Sequence, residues 1–150
     1  MNWGKGNRFG GKGMGKASLA GNVLGKKYGN IKAKLDGYSF GSMLEGMVYL
    51  ILKDRARKGE IEILQLQDHV YLSDAEIEYI PDFKCRDLKT GEEFWVEAKG
   101  YANEKWPIKK KLWRYYGPGK LEIWMGTHDS PYLKEVIVPK VRKTTVEHHA

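Results

Sequence analysis

The sequence predicts an α/β protein with a mixed, largely antiparallel sheet flanked by helices. Three observations carry that expectation. Two β-rich stretches, at 79–83 and 94–100, are joined by a polar turn that ends in glycine. An amphipathic helical pattern precedes them, and a basic, aromatic helical pattern follows them. A length of 150 residues suits one folded domain with a single core.

The charge is lopsided. Residues 1–34 hold eight Lys or Arg, no acid, and nine of the eighteen glycines. The remainder carries 18 basic and 19 acidic residues, so the net charge of +7 resides at the N-terminal end. Residues 1–35 therefore read as a flexible basic leader, and residues 36–145 as the folded domain. On such a backbone Lys5, Arg8, Lys12, Lys16, Lys26 and Lys27 are suited to follow phosphates, with Trp3, Phe9 and Tyr28 available to stack. A solubilising tail without a partner is the plainer reading. There is no secretory h-region and no apolar run of the roughly eighteen residues needed to span a bilayer. A single cysteine, Cys85, excludes an internal disulfide and a cysteine-based zinc cage, and fits a reducing compartment. No catalytic role is assigned to it. Gly10-Gly11-Lys12-Gly13 lacks the preceding strand that a phosphate-binding loop requires.

Ser42 to Lys58 reads as the first helix, because Phe40, Leu44, Met47, Val48, Ile51 and Leu52 recur at helical spacing and Gly59 supplies a stop. Ser42-x-x-Glu45 fits a capping box, which is one reading of Glu45. The other is a carboxylate at the edge of the apolar stripe that looks into a cleft beside the sheet. Ile61 to Leu66 and His69 to Leu72 read as short strands with a bend at Gln67-Asp68. Glu62, Gln65, Gln67 and Asp68 could approach a site from there, or simply meet water. His69 has no second ligand at metal-binding spacing.

In Tyr79-Ile80-Pro81-Asp82-Phe83, proline opens a strand where no ladder bond is lost. A turn within Asp87-Leu88-Lys89-Thr90-Gly91-Glu92 then folds Phe94-Trp95-Val96-Glu97-Ala98-Lys99-Gly100 back against it. Folding at Lys89-Thr90 sets Asp82 level with Glu97, and Glu97 and Lys99, two apart, share a strand face. Paired carboxylates are a hard-oxygen cage for Mg²⁺ or Mn²⁺, and a nearby ammonium can orient a water or steady charge on a phosphate. Glu-x-Lys also occurs on ordinary surface hairpins.

A second helix is expected near Lys105 to Tyr116, with Pro107 in its first turn and Gly117-Pro118-Gly119 as its stop. Ile108, Leu112 and Tyr115 form its expected apolar stripe. Lys109, Lys110 and Arg114 are candidate phosphate contacts, or part of a solvated face. Leu121 to Met125 reads as a short central strand and 127–131 as a turn. Tyr132 to Val141 is left open between helix and strand.

These residues together resemble the PD-(D/E)xK nuclease superfamily. The combination is Pro81-Asp82, a hairpin, Glu97-x-Lys99 and an earlier helical Glu45. The likeness is closer to phage endonucleases of the endonuclease I and Holliday-junction-resolving type. The opening Asp36-Gly37-Tyr38-Ser39-Phe40-Gly41-Ser42-Met43-Leu44-Glu45 is also similar to small phage proteins of unassigned function. The likeness runs from about Asp36 to Trp124.

What the resemblance implies is a restriction-endonuclease-like core and Mg²⁺- or Mn²⁺-dependent hydrolysis of DNA phosphodiesters. Asp82, Glu97 and the carbonyl of Ala98 would bind metal, Glu45 would hold a second metal or its water, and Lys99 would position the attacking water. It further implies branched DNA, above all four-way junctions, cut by a homodimer in the cytoplasm of a phage-infected host. A less selective phage nuclease and a non-catalytic DNA-binding module are the alternatives.

Overall fold

The computed structural model describes residues 23–27, 30–100 and 103–140, with side chains described from residue 33 onward. The chain opens with β1 (Val23–Lys27), β2 (Asn30–Leu35) and β3 (Tyr38–Phe40), paired antiparallel in that order. Helix α1 (Met43–Arg57) follows, then β4 (Ile61–Leu66) and the small hairpin of β5 (Val70–Leu72) and β6 (Ile77–Tyr79). The main hairpin pairs β7 (Phe83–Asp87) with β8 (Glu93–Ala98). Helix α2 (Trp106–Tyr116), β9 (Lys120–Thr127) and β10 (Ser130–Ile137) complete the described residues.

Five strands form the main sheet in the order β10-β9-β8-β7-β4, with β8 at its centre. The β8–β9 pair runs parallel, and the other three pairs run antiparallel. A parallel neighbour needs a crossover, and α2 is that connection. The sheet is thus mixed and mostly antiparallel, as the sequence predicts.

Strand alternation divides the core between the two faces of this sheet. Phe83, Cys85, Phe94 and Val96 pack with Val48 and Leu52 of α1. Trp95, Leu121, Ile123 and Ile137 pack with Trp113 of α2. Two turns fix the site's framework. Ser42, extended at φ −152°, accepts the Glu45 amide on its Oγ at 3.1 Å and caps α1. At the β7–β8 turn Asp87 Oδ1 accepts the amides of Lys89 and Thr90 at 2.8 and 3.0 Å, while Gly91 takes φ +78°.

Several expectations need correction. Val23–Lys27 and Asn30–Leu35, assigned to the leader, form β1 and β2; Ala33 is fully packed against α1's core cluster, which a basic composition does not reveal. The leader residues before 23 and Tyr28 lie outside the described residues, as do residues 141–145 of the expected domain. In α2 the buried side chains are Trp106 and Trp113, whereas Ile108 is 63% exposed and Tyr115 also faces outward. Two tryptophans seven residues apart share one face of the helix, and that face packs on the sheet with Leu112 partly buried beside it. Residues 132–137, left open, belong to strand β10 at the sheet edge. Leu121 to Met125 extends to an eight-residue strand that is second from the edge rather than central. Pro81 precedes rather than opens its strand, which starts at Phe83.

Candidate functional site

The site forms where β7 begins and β8 ends. Phe83 pairs with Val96, so Asp82, one residue outside the ladder, falls opposite Glu97. Asp82 Oδ2 accepts the backbone amide of Ala98 at 2.8 Å, which fixes the carboxylate across the end of the hairpin. The Ala98 amide is thereby committed to Asp82. Glu97 shares the α2-side face with Trp95 and is 8% exposed. Its Oε1 lies 3.3 Å from Lys99 Nζ. Its Oε2 is buried without a hydrogen-bond partner, and so is the hydroxyl of Tyr79, which is close enough to Glu97 for each to perturb the other.

Glu45 arrives from the other side, on the first turn of α1. Its two oxygens meet different partners, and the amide it accepts is that of Gly41, one residue ahead of the Ser42 N-cap that a capping box would use. Oε2 accepts the Gly41 amide at 2.9 Å and helps hold the helix start, while Oε1 is reached by the Gln67 side chain at 3.4 Å. The same Gln67 Nε2 lies 3.3 Å from Asp82 Oδ1. Gln67 thus ties the helix carboxylate to the strand carboxylate.

Asp82 is the hub of this arrangement. Burial, then the Asp82 charge, push Glu45 up to about 7. The same two causes, opposed by Lys99, push Glu97 up to about 8. Burial raises Asp82 to about 6 against the pull of the Ala98 amide, Gln67 and Lys99. Three acids that resist ionisation in one region are a mark of sites that work with charge. They form two linked pairs, Glu45–Asp82 and Asp82–Glu97, approached from opposite faces of the sheet. Among the described residues, no three His, Cys, Asp or Glu side chains are gathered into a ready metal cage. The donor set nevertheless suits a hard divalent cation: every group is an oxygen, burial holds each carboxylate short of its charge, and Glu97 Oε2 makes no hydrogen bond.

The ammonium is placed as carefully as the acids. Lys99 Nζ stands 4.7 Å from the centre of the Trp106 ring, so the indole face and Glu97 hold it between them. Trp106, at the start of α2, in turn lies 6.3 Å from the Tyr79 ring. Sequence reasoning brought Glu45, Asp82, Glu97 and Lys99 to one place. It did not find Tyr79, Trp106 or the Gly41 amide. A tyrosine two residues ahead of Pro81-Asp82 is the one sequence signal that pointed there.

The basic candidates divide. Lys110 forms a 2.6 Å ion pair with Glu135, and Lys109 donates to the Glu78 carbonyl at 2.9 Å, while Arg114 is exposed on the outer face of α2. Lys26 and Lys27 lie on β1, and Lys5, Arg8, Lys12 and Lys16 fall outside the described residues. Cys85 is fully buried and its thiol is pushed up to about 12 by burial, which leaves it inert. An open groove of about 810 Å³ between the end of α1 and β4 is lined by Ala56, Ile61, Ile63 and Leu88. Its acids are paired, Asp54 with Lys58 and Arg57 and Glu62 with Arg86, and it lacks the strained acids found beside Asp82. No helix among the described residues is long and apolar enough to cross a membrane.

Fold and site together define an α/β protein with a half-buried acid cluster and a paired lysine at one end of its central hairpin. The chain belongs to a family described as protein of unknown function (DUF1064), whose model matches residues 25–126, from β1 through most of β9. That span includes Glu45, Gln67, Asp82, Glu97 and Lys99. No curated protein and no solved structure matches the chain.

Proposed function

We propose that this protein is a divalent-metal-dependent DNA endonuclease with a restriction-endonuclease-like core, selective for branched DNA and resolving four-way junctions as a homodimer in the cytoplasm of a phage-infected cell. The observation that carries the reading is the set of buried Glu97 with half-buried Asp82 and Lys99, joined through Gln67 to Glu45. Carboxylates concentrated against their own repulsion beside a held ammonium suit an ion and a phosphate far better than they suit a structural role.

Asp82 Oδ1 and Glu97, with the Ala98 carbonyl, would hold Mg²⁺ or Mn²⁺, and Glu45 would flank it. The cation would supply Lewis-acid stabilisation of phosphate charge and a more acidic bound water. The chain's own residues do the remaining work. The Ala98 amide orients Asp82, so that its direction does not depend on substrate. Lys99, steadied by Trp106 and Glu97, directs a proton-bearing nitrogen towards the attacking water or the phosphate oxygen. Burial of Glu97 keeps bulk water from screening that charge. DNA affinity comes from exposed basic groups such as Arg114 and from the N-terminal lysines and arginine, because phosphate contacts dominate binding.

Cleavage measured on matched duplex, single-stranded and four-way DNA with Mg²⁺ or Mn²⁺ tests the reading. Preferential, metal-dependent cutting of the four-way substrate is expected. Equal rates on all three would discard junction selectivity and favour a broader nuclease. No cutting of any form would leave a DNA-binding module.

A further inference from the structure

We infer that Gln67 is a metal-exchange residue. Its side-chain NH₂ bridges Glu45 and Asp82 while no cation is bound, and its carbonyl Oε1 turns in to join the oxygen shell when one is. This rests on the divalent-cation reading of the site and extends it to a residue outside the acid and lysine set.

The geometry singles this amide out. Glu45 commits Oε2 to the Gly41 amide, and Asp82 commits Oδ2 to the Ala98 amide. The oxygens left over, Glu45 Oε1 and Asp82 Oδ1, are both met by one atom, Gln67 Nε2, at 3.4 and 3.3 Å. A partly positive NH₂ therefore stands between the two carboxylate oxygens that remain for a cation. Both contacts are long for hydrogen bonds, so releasing them costs little. A carboxamide carries donor and acceptor on the same end, and a half-turn about its last bond exchanges one for the other. Hard divalent cations take amide oxygens readily. Lysine at this position would compete permanently with the ion, and an apolar residue would leave the acids facing each other.

The backbone holds the amide there. Gln67 follows the last β4 pair, Leu66 with Phe83, and its own N–H donates to the Asp82 carbonyl at 2.9 Å. Its φ is +55°, a left-handed conformation that a long side chain adopts only under constraint. The next residue, Asp68, accepts the Trp95 indole N–H at 2.8 Å and pins the corner from the opposite side. A second observation points to a ligand beside Asp82: on the α2 side, nine-tenths-buried Glu97, which feels the Asp82 charge, has an oxygen, Oε2, that makes no hydrogen bond, and its neighbour there is the equally unsatisfied Tyr79 hydroxyl.

Isothermal titration of Mn²⁺ into the full chain, into Gln67→Met and into Gln67→Glu tests this without any nuclease assay. Gln67 is exposed, so both variants keep the core. The expected result is Mn²⁺ affinity weakened about tenfold or more in Gln67→Met, the scale seen when a supporting group of a metal site is lost, and affinity retained or raised in Gln67→Glu. In the wild-type chain the Gln67 side-chain amide resonances should shift as Mg²⁺ is added. Wild-type affinity in Gln67→Met, or amide resonances that do not move, would overturn the role of Gln67 while leaving the metal site standing. A wild-type chain that takes up no Mn²⁺ would overturn both.

Discussion

Asp82 Oδ2 accepts the Ala98 amide at 2.8 Å, across the open end of the β7–β8 ladder. One hydrogen bond thus orients the central acid of the site and ties it to the strand that carries Glu97 and, one residue beyond its end, Lys99. With Oδ2 held, Oδ1 is turned to Gln67 and the helix carboxylate Glu45. Everything chemical about the site follows from that fixed orientation, and so do its costs.

The first cost is electrostatic, and it appears as a pH dependence. Glu45, Asp82 and Glu97 are raised in the folded chain to about 7, 6 and 8, from ordinary values of 4.5, 3.8 and 4.5. Protonated acids fit the fold, so the stability they contribute is fully present below about pH 4 and is lost as pH rises through about 6 to 8. Melting in EDTA should show Tm falling by several degrees between pH 5.5 and 8.5, with Mg²⁺ restoring most of it at the upper end. Glu97→Gln removes one of the repelling charges and should flatten the profile. An EDTA profile that rises over this interval would contradict the arrangement.

Packing gives a second prediction, centred on α2. Trp113 is fully buried, donates its indole N–H to the Gly119 carbonyl at 2.8 Å and meets the Trp95 ring edge-on at 5.6 Å. Trp113→Ala should cost about 3–5 kcal/mol in denaturant unfolding. Ile108→Ala, one residue of the apolar stripe expected from sequence, should change stability by less than about 0.5 kcal/mol because its side chain faces solvent.

Cys85 offers a probe of the same core. With the thiol buried against α1 and pushed up to about 12, a maleimide or similar reagent at pH 8 should label it only as fast as the sheet opens. Rapid labelling of the native chain would mean that the α1-facing layer is not closed.

For DNA contacts, the ion pairs rank the lysines and arginine. Lys110 is engaged by Glu135, whereas Arg114 is exposed. Arg114→Ala should weaken duplex or junction binding and lower the salt slope by about one, with Lys110→Ala weakening it less. Fluorescence anisotropy across a salt series separates the two.

The hairpin was legible in the sequence because its turn is local chemistry. Asp87 captures two amides, Gly91 supplies the left-handed residue, and the register of Asp82 with Glu97 follows from where the chain must reverse. Helix α1 was legible for the same reason, since Ser42 and its apolar spacing sit within one stretch of chain. Elements that depend on distant partners were not. β1 and β2 are basic and rich in glycine nearby, and they become strands through pairing with β3 and the packing of Ala33 beneath α1. β10 hides its alternation because a bulge between Leu133 and Glu135 shifts the pleat. Within the site, the acids and Lys99 could be aligned by spacing, but Tyr79 and Trp106 reach Glu97 and Lys99 only through tertiary packing of β6 and α2.

The most direct measurement is cleavage of a labelled four-way junction by the wild-type chain and by Asp82→Asn, each with Mg²⁺ and with EDTA. Asn keeps an oxygen for the Ala98 amide and removes only the charge at the centre of the site. Cutting by the wild type that requires Mg²⁺, with a loss of at least about a hundredfold in Asp82→Asn and junction binding retained, is the expected result. Wild-type cutting rates in Asp82→Asn, or cutting that persists in EDTA, would contradict the account.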